Sequence, residues 1–122
     1  MARILIIEDN VANMSLATFL LESAGHSVHS APDAETGLTL AREERPDLIL
    51  MDIQLPGMDG LEATKLLKAS DATRDIPVIA LTALAMKGDE ERIRAAGCEA
   101  YIAKPMRYQN FLTTVAIQLA VI

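Results

Sequence analysis

The chain has 122 residues, enough for one domain with a buried core and too few for two. Hydrophobic residues make up 51% of it, which excludes disorder, and aromatics only 3%, so the core must be Leu, Ile, Val, Ala and Met. A net charge of −6 argues against nucleic-acid binding, where phosphate contacts need clustered Lys and Arg. No apolar run approaches the ~18 residues of a membrane span, and no signal peptide is visible. Cys98 is alone, so an internal disulfide is impossible, which fits a reducing cytosol.

Residues 3–7 read as a buried strand, apolar without a break from Ile4 to Ile7, that stops at Glu8 and Asp9. Asn10 can cap a helix over 11–24, with Leu16, Ala17, Leu20, Leu21 and Ala24 at helical period and Gly25 closing it. Residues 27–31 form a short strand around Val28. Pro32 and Asp33 open a helix to about Glu44 with Ala34, Leu38 and Ala41 inward, and Pro46 ends it. The run 48–52 is a second fully apolar strand that ends on Asp52. Residues 53–60 carry turn chemistry, and a helix follows over 61–68. A fourth strand spans 76–81, with Pro77 near its start, and ends at Thr82. A helix over 87–96, a strand over 100–103 ending at Lys104 and Pro105, and a helix over 108–120 complete the chain.

Strand then helix, five times over, argues for a parallel sheet with helices on both faces. Right-handed crossovers then place every strand C-terminus on one rim, where such folds bind ligands. The strand ends supply Glu8 and Asp9, Asp52, Thr82 and Lys104. Three carboxylates within ~6 Å would repel by about 3 kcal/mol per pair at an effective dielectric of 20. A cation relieves that, and hard oxygen ligands with positions left for water suit Mg²⁺. Lys104 is a point charge for an anionic oxygen, and Thr82 a hydroxyl donor. Together these are the parts needed to stabilise a phosphoryl group in transfer, with Asp52 as nucleophile. The bland alternatives are an acidic rim without metal, a surface lysine and a helix N-cap; their coincidence at strand ends disfavours them jointly.

These residues resemble the receiver domain of two-component response regulators. The resemblance covers the whole chain, 1–122, with no output domain expected. It rests on Glu8-Asp9-Asn10, Asp47-Leu48-Ile49-Leu50-Met51-Asp52, Pro56-Gly57-Met58-Asp59-Gly60, Thr82-Ala83 and Lys104-Pro105. The stretch from Leu81 to Tyr101 is similar to single-domain regulators of the DivK type, and also to receivers of hybrid kinases. The resemblance implies a flavodoxin-like fold: a doubly wound five-stranded parallel sheet, order 2-1-3-4-5, with five helices. It implies that Asp52 accepts a phosphoryl group from a phosphohistidine of a sensor histidine kinase or histidine phosphotransfer protein. Asp9 and Asp52 would ligate Mg²⁺ with the Gln54 backbone carbonyl, and Glu8 would help through water. Lys104 would contact the bound phosphoryl, Thr82 would bond it and shift inward, and Tyr101 would change rotamer with that shift. The Lys104–Pro105 bond is expected to be cis. Gln54 and Leu84 are expected to tune the lifetime of the phosphoryl group.

Output would pass through a protein-binding face to a downstream protein target. The first helix carries one charge, Glu22, and Val11, Met14, Ser15 and Thr18 fall off its core stripe, a candidate docking patch for the phosphodonor. Residues 113–122 carry no charged side chain, so some of Ile117, Val121 and Ile122 must be exposed or paired; a weak homodimer and truncation of a longer protein both fit. His26 and His29 read as surface residues, and Cys98 as a small buried hydrophobe. Two other readings compete. A haloacid-dehalogenase-type phosphotransferase needs an acid two residues after the nucleophile, where this chain has Gln54. A flavodoxin-like binder needs a phosphate-cradling loop after the first strand, which is lacking. A fragment of a larger hybrid kinase or regulator stays open.

Overall fold

The apolar runs become the centre of the sheet. β1 (Arg3–Ile7), β3 (Leu48–Asp52) and β4 (Val78–Thr82) are buried along nearly their whole length. β2 (Ser27–Ala31) and β5 (Ala100–Ala103), with fewer apolar side chains, take the edges. All pairings are parallel, in the order β2-β1-β3-β4-β5. The computed structural model describes residues 2–83 and 87–120.

Side chains alternate across the sheet and build two cores. Ile4, Ile6, Leu48, Leu50, Ile79 and Leu81 face α1 (Val11–Ser23) and α5 (Tyr108–Ala120). Leu5, Ile7, Ile49, Met51, Val78 and Ala80 face α2 (Ala34–Glu44), α3 (Gly60–Ala69) and α4 (Lys87–Ala96). Leu50 is fully enclosed, and its truncation to alanine costs about 2–5 kcal/mol. This double cover holds the C-terminal ends of β1, β3 and β4 in fixed places, which the site requires.

Three helices start on side-chain caps. Asn10 accepts from the Asn13 N–H, Asp33 from Thr36 and Asp59 from Glu62. Each cap satisfies an amide that the first helical turn leaves unpaired. The Thr36 amide also draws the Asp33 carboxyl below its usual pKa.

The structure departs from the sequence reading at a few places. β4 starts at Val78 rather than Ile76, although the Pro77 carbonyl still accepts from the Ile49 amide at 2.9 Å. α2 ends because Arg45 takes a left-handed φ of 46°, one residue before Pro46. In α1, Leu16 is 41% exposed and Ala24 is exposed, so both lie outside the inner stripe assigned to them. Met14, read as off the core, is half-buried against the α1–α5 core, and Thr18 is half-buried too. The cause is composition: α1 is apolar around nearly its whole circumference, so periodicity could not fix which face turns in. Leu84, Val121 and Ile122 lie outside the described residues.

Candidate functional site

Backbone bonds just past the strand ends set the frame. Glu8 N–H donates to the Ala31 carbonyl at 3.0 Å, Ile53 N–H to Leu81 at 3.1 Å and Lys104 N–H to Thr82 at 2.7 Å. Each continues the sheet ladder one step, so the functional side chains leave a rigid rim. The carboxylate oxygens of Glu8, Asp9 and Asp52 include ligand atoms within 4.8 Å of one another. Glu8 and Asp52 form the floor, at 2% and 3% exposure, and Asp9 stands exposed at the mouth.

Lys104 from the β5 end closes the group. Its Nζ is 2.8 Å from Glu8 Oε1 and 3.2 Å from Asp52 Oδ2. The remaining carboxylate oxygens are held by their own turns: Asn10 N–H donates to Glu8 Oε2 at 3.2 Å, and Gln54 N–H to Asp52 Oδ1 at 3.0 Å. Oε1 is buried, and the Lys104 ammonium is the one donor group near it among the described residues.

The electrostatics follow from this crowding. Burial pushes the Glu8 carboxyl above its usual pKa, and Asp52 adds to the shift. Burial alone would lower the Lys104 ammonium, but Glu8 and Asp52 outweigh it and hold the pKa above the ordinary lysine value. Two buried carboxylates share one lysine, and a third carboxylate waits at the mouth. The donor set is all hard oxygen, two buried carboxylates have one cation between them, and one side is open to water. That fits a small hard divalent cation that keeps some of its waters.

Thr82 is fully buried at the end of β4, where its carbonyl receives the Lys104 amide. Tyr101 is half-buried on β5, against the core under α2–α4. The Lys104–Pro105 peptide is cis. Gln54 is exposed in the turn after β3. On α1, Val11 is 80% exposed and Ser15 is exposed, while Met14 and Thr18 are partly covered. Leu16 and Phe19, not counted in the candidate patch, complete the open face, Phe19 at 66% exposure. Helical spacing from Val11 through Ser15 leads to Phe19, whereas the sequence reading assigns Leu16 inward. A further residue missed was Gly60, read only as turn chemistry. A Cβ built there would lie 2.1 Å from the Asp52 carbonyl oxygen.

Other polar features have structural uses. The Lys68 ammonium donates to the carbonyls of Arg74 at 3.2 Å and Ile76 at 2.8 Å, and pairs with Glu99 at 2.9 Å. Thr73, fully buried, donates to the Leu67 carbonyl at 2.7 Å. His26 Nδ1 accepts from the Ala2 amide at 3.2 Å, and His29 is exposed. Burial raises the Cys98 thiol pKa. A cleft of about 800 Å³ among Ala2, His26, Asp47, Pro77 and Leu119 lies at the opposite end of the strands, away from the acidic rim.

Comparison with known proteins agrees with this geometry. Residues 4–116 match the response regulator receiver domain family. Over 112 residues the chain is 56% identical to the polar-differentiation response regulator DivK of Brucella anthropi, covering 92% of this chain and 91% of that protein. DivK of Brucella ovis is 54% identical over the same coverage. Among solved structures, the receiver domain of a sensor histidine kinase from Pseudomonas aeruginosa superposes with a TM-score of 0.91 at 35% identity, covering 98% of both chains. That structure holds a magnesium ion in its active-site cleft. Chemotaxis protein CheY4 of Vibrio cholerae gives a TM-score of 0.91 at 26% identity, covering 96% of this chain and 98% of that one. The chain belongs to the response regulator receiver family and is of the DivK type. It works in two-component signalling with a histidine kinase, as a phosphoacceptor rather than an enzyme with substrate turnover. Among the described residues no helix is long and apolar enough to cross a membrane.

Proposed function

We propose that residues 1–122 act as one receiver whose Asp52 accepts the phosphoryl group. Asp9, Asp52 and the Gln54 carbonyl would ligate Mg²⁺, with Glu8 joining through water. The observation that carries this reading is the convergence of three carboxylates within 4.8 Å, with a lysine 3.2 Å from Asp52. Bound Mg²⁺ would supply charge neutralisation to the phosphoryl oxygens. The chain does the rest. Gln54 N–H holds Oδ1, which stops the carboxylate from rotating away. Oδ2 attacks the phosphorus of a phosphohistidine, the P–N bond breaks, and the leaving imidazole takes a proton from solvent. Lys104 exchanges its carboxylate partners for a phosphoryl oxygen, and the Thr82 hydroxyl donates to another.

The product carries about −1.5 to −2 added charges and three acceptor oxygens. Lys104 and Thr82 gain contacts that the unphosphorylated protein lacks. That difference in free energy can move Thr82 and Tyr101 and shift the α4–β5 face toward a form a downstream protein target recognises. Gln54, exposed in the turn after β3, would tune the lifetime of the acyl phosphate.

The donor, a histidine kinase or histidine phosphotransfer protein, docks on α1. Its open face runs from Val11 through Ser15 to Leu16 and Phe19, with Thr18 at the margin. Met14 belongs to the core edge and supports this face from below. The working compartment is the cytoplasm. A weak homodimer would use α5, where Ile117 is 55% exposed. Incubation with a small phosphodonor tests the central assignment: one added phosphoryl by intact mass, requiring Mg²⁺ and lost in Asp52→Asn, is expected. An adduct of equal yield in Asp52→Asn would refute it.

A further inference from the structure

The start of α3 approaches the main chain of Asp52 more closely than any side chain permits. A Cβ on Gly60 would lie 2.1 Å from the Asp52 carbonyl oxygen and 2.9 Å from the Ile53 Cα. These obstacles are backbone and cannot rotate aside. Gly37 in α2 differs: there a Cβ would meet the Ile7 side chain, 2.3 Å from its terminal methyl. At Gly88 in α4 it would meet nothing within 4 Å. Gly60 is not needed for an unusual backbone angle, since its φ is not among the positive ones. Its smallness serves close approach.

Two bonds show what that approach holds. Gly60 N–H donates to the Ile53 carbonyl at 2.9 Å and closes the turn that carries Gln54. Thr64, fully buried one helical turn on, donates its hydroxyl to the Gly60 carbonyl at 2.8 Å. Two neighbouring α3 amides are spent within the chain, Glu62 N–H on the Asp59 carboxylate and Ala63 N–H on the Asp59 carbonyl. This helix end is therefore a clamp on the residue 52–54 segment rather than an anion seat.

We propose that Gly60 and Thr64 are positioning residues that seat α3 on the Asp52 main chain and so fix the Asp52 carboxylate and the Gln54 turn for metal binding and phosphoryl acceptance. This rests on the reading of Asp52 as acceptor. The Asp52 carboxylate is aimed by the Gln54 amide, and the Gln54 turn is closed by Gly60. A shift of the Gly60 backbone to admit a Cβ would press directly on the Asp52 carbonyl and on the Gly60–Ile53 hydrogen bond.

The test measures Mg²⁺ affinity by calorimetry and the rate of phosphorylation by a small phosphodonor at saturating Mg²⁺, below the unfolding temperature, with folding checked by circular dichroism. Gly60→Ala is expected to lose at least tenfold in both, and Gly88→Ala neither. Thr64→Val is expected to lose about threefold in both, and Thr64→Ser to restore them, a rescue that bulk destabilisation would not show. Folded Gly60→Ala with wild-type affinity and rate overturns the proposal. If Gly60→Ala does not fold, Thr64→Val with wild-type values overturns it. A wild type that takes no phosphoryl group sinks the acceptor reading instead, and Mg²⁺ affinity alone then decides the positioning role.

Discussion

Replacing Lys104 with methionine should push two measurements in opposite directions. Its Nζ lies 2.8 Å from Glu8 Oε1 and 3.2 Å from Asp52 Oδ2, with the lysine side chain 17% exposed. At an effective dielectric of 20 those contacts are about 6 and about 5 kcal/mol of gross attraction. Desolvation of the ammonium cancels much of this, and Glu8 can relieve the loss by taking up a proton. The net cost in metal-free protein is then about 3 kcal/mol, the lower end for breaking a buried pair. For a domain of this size that is a drop of roughly 10 °C in Tm. Metal binding should improve, because a doubly charged ion no longer faces a cation. At about 6 Å in a water-like dielectric the relief is about 1.4 kcal/mol, or tenfold in affinity. The lysine pKa is raised in the fold, so its stabilisation is present below the ordinary lysine value and lost as pH rises through the folded one. The gap between wild type and Lys104→Met should therefore close at strongly alkaline pH. Thermal unfolding without metal and calorimetric Mg²⁺ titration read both effects. A variant as stable as wild type, with unchanged Mg²⁺ affinity, would refute the electrostatic account of the site.

Mg²⁺ affinity should fall with falling pH, beginning above the usual glutamate range, because the raised Glu8 carboxyl protonates early and the cation needs it ionised; Glu8→Gln should flatten that part of the profile in pH-dependent titrations. Lys68→Met should cost about 2 kcal/mol in denaturant unfolding, since it strips the Arg74 and Ile76 carbonyls and Glu99 of a shared donor; an unchanged midpoint would contradict this. Phe19→Glu should slow transfer from a partner kinase at least tenfold while sparing small phosphodonors and Tm, since this side chain is 66% exposed. Equal slowing with both donors would remove α1 as the docking face.

Much of this molecule was readable before its coordinates. The runs ending on Asp52 and Thr82 read as buried strands, and Asn10 and Asp33 marked where two helices begin, while the cap at Asp59 was hidden in a stretch read as a turn. Buried parallel strands have continuous apolar sequences, and strand ends must share a rim, so the acidic group could be assembled on paper. The inward face of α1 could not, because a helix apolar all round has no preferred side until its neighbours choose one. Met14 turned in and Leu16 out. Nor could the pairings of Lys68, which bonds the Arg74 and Ile76 carbonyls of the α3–β4 connection, and of Thr73, which bonds the Leu67 carbonyl within α3. Gly60 shows the limit most clearly: its letter signals a turn, and only the distance to the Asp52 carbonyl shows a close contact.

The most direct test of the account is chemical trapping of the phosphorylated residue. Protein treated with a small phosphodonor and Mg²⁺, then reduced with borohydride, should yield homoserine at position 52 alone in peptide mass mapping, and none after Asp52→Asn. Homoserine at Asp9 or Asp59, or a phosphoryl group that survives reduction on another residue, would contradict the central claim.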